Sequence, residues 1–154
     1  MKMRGEKMKH GKRQIYFDRE LETEVYWFHG IMQKFPNHFH EYYVIGFVEN
    51  GQRRLYCKNK DYIINPGDMV VLNPFDSHTC LQVNDEALDW RCINIKKEIM
   101  EKAVKELCNE EYLPYFLLLA FSEAWLSGGV LTVFVIYRPH WVGSFDDAHY
   151  IFHK

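Results

Sequence analysis

Several absences limit what this chain of 154 residues can be. It has no excess of charge of one sign. Nineteen Lys and Arg against 21 Asp and Glu give a formal net charge of −2, so the chain as a whole is not built to hold a nucleic acid backbone. It has no C-x-x-C: Cys57, Cys80, Cys92 and Cys108 are dispersed, which excludes a zinc knuckle or a dithiol redox motif and leaves free thiols. The basic amino terminus is followed by no apolar h-region, so no secretory leader is expected and a cytoplasmic protein is. With 47% hydrophobic and 26% charged residues, the composition also excludes a disordered chain. What the sequence does hold in quantity is aromatic side chains, 16%, which fill barrel interiors and line pockets for small ligands.

The length suits one domain with a real core. Residues 1–13 form a basic arm, read as a solvated terminus. Residues 14–95 read as short strands and turns: Gln14–Phe17, Val25–His29, Tyr42–Val48, Arg53–Cys57, Tyr62–Ile64, Met69–Leu72, Thr79–Val83 and Leu88–Ile95. Asn50-Gly51 is a hairpin signal, with Arg53–Cys57 as the returning strand. Asn65-Pro66-Gly67-Asp68 fits a type II turn, because Pro presets φ and Gly supplies a positive φ after it. Short, evenly spaced strands predict an antiparallel sandwich or barrel.

From residue 97 the period changes. Ile99, Met100, Ala103, Val104 and Leu107 make an apolar stripe at helical spacing, so 96–114 is expected to be a helix packed on the barrel or on a partner. Residues 115–154 are an atypical apolar tail. A buried helix near Leu117–Leu126 and a strand at Val130–Tyr137 are expected there. Glu123 and Gly128-Gly129 argue against a membrane span.

The chemistry concentrates in residues 38–78. His38 and His40, two apart on an expected strand, share a face with Tyr42 and Val44, and His78 opens a later strand. Imidazoles and a phenol on one wall suit a small hydroxylated or aromatic ligand. Trp27, His29, Tyr56 and Trp90 are further candidate ligand-binding residues. If a metal is held at all, His38, His40 and His78 would hold it, but no carboxylate shares their face, so neither metal nor cofactor is expected and no catalytic residue is assigned.

In order and spacing, His38-x-His40, Gly51, Pro66-Gly67-Asp68, Pro74 and His78 resemble the two motif blocks of the cupin superfamily. More closely, Pro36 to Cys80 resembles the N-terminal effector-binding domain of AraC-type transcription regulators, a likeness covering about residues 12–114. It implies a mainly β fold: a cupin-like double-stranded β-helix (jelly-roll) barrel followed by one or two C-terminal helices. It also implies a small-molecule effector, often a sugar, a homodimer formed through helices, and DNA contact only through a C-terminal helix-turn-helix domain that this chain lacks. Metal-binding cupins carry a Glu four or five residues after the second His, where Val44 and Ile45 stand here. The expected function is therefore effector sensing, without enzyme activity or membrane partner. A small metal-dependent cupin enzyme and a non-enzymatic cupin interaction protein are the alternatives.

Overall fold

A computed structural model describes residues 11–116, together with the backbone of 120–122 and 136–137. The strands are β1 (Lys12–Asp18), β2 (Thr23–Ile31), β3 (Phe35–His38), β4 (Tyr43–Asn50), β5 (Arg53–Cys57), β6 (Lys60–Ile64), β7 (Asp68–Leu72), β8 (His78–Gln82) and β9 (Leu88–Ile95). Helix α1 (Lys97–Cys108) follows, and then short strands β10 (Tyr115–Phe116), β11 (Ala120–Ser122) and β12 (Ile136–Tyr137). Two antiparallel sheets face each other, one ordered β1-β2-β9-β4-β7-β11 and the other β3-β8-β5-β6; β10 and β12 pair separately. This is the expected mainly β jelly roll, with one helix after the barrel among the described residues.

The turns work differently from the hairpin reading. β4 and β5 do not pair: β4 lies between β9 and β7, and β5 between β8 and β6. Asn50-Gly51 is thus a corner where the chain crosses from one sheet to the other. Gly51 has a φ of +80°, and a Cβ there would meet the Ala87 carbonyl oxygen at 2.2 Å, so only glycine fits. Asn65-Pro66-Gly67-Asp68 carries the chain back. Its Asp68 N–H donates to the Asn65 carbonyl at 3.0 Å with Gly67 at φ +92°, as a type II turn requires.

Alternation along the strands puts one face inside. In β5, Arg53, Leu55 and Cys57 are buried while Arg54 and Tyr56 are exposed. The main core (Ile31, Val44, Val48, Leu55, Ile64, Val70, Leu72, Leu88 and others) lies between the sheets. A second core, Tyr43, Val71, Met100 and Phe116, lies outside the larger sheet and docks α1. The helix ends at Asn109, in the left-handed region at φ 55°, whose N–H donates to the Lys105 carbonyl. Of the expected apolar stripe, Met100 and Val104 are buried, but Leu107 is 79% exposed.

Two boundaries move. Lys12 and Arg13, counted above with the basic arm, belong to β1, opposite His29 and Phe28. Ala120–Ser122, inside the expected helix near Leu117–Leu126, is instead strand β11, pairing with β7 from Val70 to Asp68. These three residues of the apolar run thus add a strand to the edge of the larger sheet. Among the described residues, no helix is long and apolar enough to cross a membrane. Most of Val130–Tyr137 lies outside the described residues.

Candidate functional site

The two sheets do not close tightly. Between them lies a cavity of about 230 Å³, walled mainly by Phe28, Leu55, Val70, Leu88 and Trp90, with His38, His40 and His78 among its few polar groups. Strand register layers the larger sheet's wall. Asn94 and Val44 lie abreast, beside Glu24 outside the wall, then Tyr26, Cys92 and Gly46, then Phe28, Trp90 and Val48. Gly46 makes room for Trp90, since a Cβ there would lie 1.9 Å from the indole. The smaller sheet contributes Leu55, Cys80 and His78.

The histidines come together by a different route from a single regular strand. His38 ends β3, paired with His78 of β8, whereas His40 and Tyr42 lie in the connection that leads to β4. Their rings still converge: His38 and His78 centroids are 4.3 Å apart, His38 and His40 5.0 Å, and His40 and His78 5.3 Å. Tyr42 stacks on His40 at 5.0 Å. One nitrogen from each imidazole lies within 4.8 Å of the others.

Backbone contacts settle two tautomers. His38 Nδ1 lies 2.6 Å from the Pro36 carbonyl and His78 Nδ1 2.9 Å from the Asp76 carbonyl. A carbonyl oxygen can only accept, so each Nδ1 carries a proton, and in the neutral ring it is Nε2 that holds the lone pair. Burial, then the neighbouring His78 and His38, push His40 down to about 4, and burial lowers His78 as well. Burial thus disfavours a charged imidazole at His40 and at His78. The thiols in the wall are inert, because burial pushes Cys80 and Cys92 up to about 11.

Of the residues singled out in the sequence, His38, His40, Tyr42, His78 and Trp90 line the cavity. Trp27, His29 and Tyr56 are not in its wall. His29 pairs with Asp89 at 3.0 Å, Arg91 lies over Trp27 at 5.6 Å, and Tyr56 donates to Asn59 at 3.2 Å on the outer surface. Tyr26, Phe28, Phe35 and Asn94 were missed. Alternation from Trp27 would have pointed to Tyr26 and Phe28 once either face of β2 was known to be inside.

A family model described as AraC-like ligand binding domain matches residues 21–126. An uncharacterized HTH-type transcriptional regulator of Bacillus subtilis (strain 168), YbfI, is 56% identical over 109 residues, covering 71% of this chain and 40% of that relative. The chain thus spans about two fifths of the length of the curated relative it matches. Among solved structures, an RmlC-like cupin family protein with a double-stranded β-helix fold from Methanocaldococcus jannaschii is similar with a TM-score of 0.47 and 11% identity, covering 58% of this chain and 84% of that one. A cupin superfamily protein from Desulfitobacterium hafniense DCB-2 is similar with a TM-score of 0.49 and 7% identity, covering 57% of this chain and 79% of that one.

Proposed function

The chain belongs to the AraC-like ligand binding domain family, and from that membership we propose that it is the effector-sensing domain of a bacterial transcription regulator. It binds a small molecule inside the barrel and passes the binding free energy to a DNA-reading partner domain. The observation that carries this reading is the cavity between the sheets with three convergent histidines at one end of an otherwise mainly apolar wall. The match to a relative named as a transcriptional regulator, over 109 residues, supports the regulatory context. A homodimer and DNA contact through a C-terminal domain complete the proposal. In it the ligand shifts the population of two arrangements of the domain, by no more than its differential affinity for them.

The test is a thermal-shift screen with metabolites of several chemical classes, followed by calorimetric titration. A true effector stabilises by about 2.7 kcal/mol at a hundredfold excess over Kd. His40→Ala is expected to weaken that ligand more than it weakens the fold. No stabilisation from any class, with the fold intact, would overturn the reading.

One observation favours a second reading, a small metal-dependent cupin enzyme: three imidazole nitrogens within reach of one ion. Against it, the cavity wall contains no carboxylate among the described residues. Stoichiometric Zn, Fe, Ni or Mn in the purified protein would favour the enzyme, and metal-free protein unaltered by added metal would remove it.

A further inference from the structure

We propose that the cavity takes a small, uncharged, aromatic molecule carrying one or two hydrogen-bond donors, a phenol or an aromatic alcohol, and that it rejects both sugars and organic acids. The inference rests on the effector-binding reading and names the class of effector.

Size comes first. A dry cavity of about 150 Å³ in a protein core holds benzene, so about 230 Å³ accommodates roughly nine non-hydrogen atoms. The wall then sets the chemistry. Phe28, Phe35 and Trp90, with aliphatic side chains from both sheets, present flat and greasy surfaces that fit an aromatic ring. A hexose would bring several hydroxyl groups into this space. Apart from the histidines, the polar side chains in the wall are Tyr26, Tyr42 and Asn94, and Tyr26 already donates to Glu24 at 3.0 Å. Hydroxyls facing Phe28, Leu55 or Val70 would lose water without gaining a partner.

Charge excludes the acids. Among the described residues, no Lys or Arg stands in the wall. The buried Arg53 turns its two terminal nitrogens to the carbonyls of Ile31, Gln52 and Glu86. Register also sets Arg53 opposite Gln82 and Cys57 opposite His78, so the cation sits at the far end of the sheet from the histidines. A carboxylate would enter a pocket without a lysine or arginine in its wall, where Glu24, whose charge already acts on the wall residue Tyr42, repels it.

The histidines ask for a donor. With Nδ1 of His38 and His78 held by backbone carbonyls, their Nε2 atoms offer lone pairs at the same end of the cavity as His40. His40 brings an N–H that can serve one of these two lone pairs, which leaves the other as an acceptor for a ligand O–H or N–H. A site built this way discriminates strongly against the analogue that lacks the hydroxyl.

The test titrates chelator-treated protein with para-alkylphenols and benzylic alcohols of about eight to twelve non-hydrogen atoms. Ethylbenzene, 4-ethylbenzoate, glucose, arabinose and zinc chloride are the comparison probes. Saturable binding is expected from members of the phenol and alcohol series, at least tenfold tighter than ethylbenzene, with no binding of the benzoate or the sugars. His40→Phe, which keeps an aromatic ring but removes an acceptor, is expected to erase most of the preference for 4-ethylphenol over ethylbenzene; a melting curve confirms its fold. Tighter binding of a sugar or the benzoate would overturn the inference and leave the effector-binding reading standing. Binding of zinc alone would overturn it in favour of a metal centre, and no binding by any probe or by any metabolite in the wider screen would overturn both.

Discussion

His40 couples the cavity to pH. Burial lowers its affinity for a proton, and the facing His78 and His38 lower it further, to about 4 against an ordinary value near 6.5. Tyr42, stacked on it, is held neutral by the same burial. As pH falls from about 6.5 toward 4, the unfolded chain takes up a proton that the native chain refuses. Stability therefore declines through that window, flattens below it, and is unaffected by this group above neutral pH. Burial of His78 acts in the same direction. The expected outcome is a melting temperature that drops between pH 7 and pH 4.5, with a shallower drop in His40→Phe; parallel profiles for the two proteins would count against it. The convergence of the histidines was legible in the sequence, because His38-x-His40 and the turn before His78 fix their spacing. The parity of β2 was not. It carries aromatic side chains on both faces, so nothing in Tyr26-Trp27-Phe28-His29 says which face is inside. Tyr56 misled for a related reason: in β5 the residues turned inward include a buried arginine, so polarity does not report the face.

At the scale of elements, two turns of the same design do different work. Asn65-Pro66-Gly67-Asp68 and Asn73-Pro74-Phe75-Asp76 flank β7. In each the Asp carboxylate accepts from the Asn backbone N–H, at 2.7 and 3.1 Å. The first has Gly at the positive-φ position, whereas the second holds Phe75 there at φ 66°. The second turn is also a junction. Phe75 N–H donates to the His40 carbonyl at 2.7 Å, and the Asp76 carbonyl receives His78. Asn73 pairs with both backbone groups of Phe116, at 2.7 and 2.9 Å, while Lys58 closes on Asp76 at 2.9 Å. A ligand that moves His40 or His78 thus pulls on the segment after α1 through buried polar contacts. Asn73→Ala is expected to cost about 2–3 kcal/mol in urea unfolding, since it removes the buried side-chain bonds to Asp76 and to both backbone groups of Phe116. It should also speed hydrogen exchange at the Phe116 amide, while Tyr115→Phe, which loses a 3.4 Å bond to Asp76 and the hydroxyl's contact with Lys58 but keeps the ring, costs less, about 1 kcal/mol. Protection at Phe116 that survives Asn73→Ala would show that the junction does not hold the segment. The turn chemistry was readable in Pro and Gly; that Asn50-Gly51 crosses between sheets was not, because the same two residues serve a hairpin or a corner and only the pairing of β4 with β7 and β9 decides.

At the scale of the molecule, the helix presents more apolar surface than the barrel covers. Met100 and Val104 enter the second core. The adjoining row of Ile99, Ala103 and Leu107, spaced four apart on one side of α1, runs outward from partial burial to the 79% exposure of Leu107. A leucine at the open end of such a row is where a second helix gains most by packing, as the homodimer proposed above requires. The opposite side of the molecule offers a rival surface. Among the described residues β1 is an edge of the larger sheet, with Ile15, Tyr16 and Phe17 each more than half exposed. The two surfaces are separable by substitution, since neither Leu107 nor Ile15 belongs to a buried core. Leu107→Glu is expected to leave the melting temperature of the monomer nearly unchanged and to weaken self-association at least tenfold by sedimentation, because it sets a charge against an apolar partner. If Leu107→Glu leaves the sedimentation coefficient unaltered while Ile15→Lys lowers it, the chains meet through the β1 edge, and the helix is free to serve the segment it is bolted to.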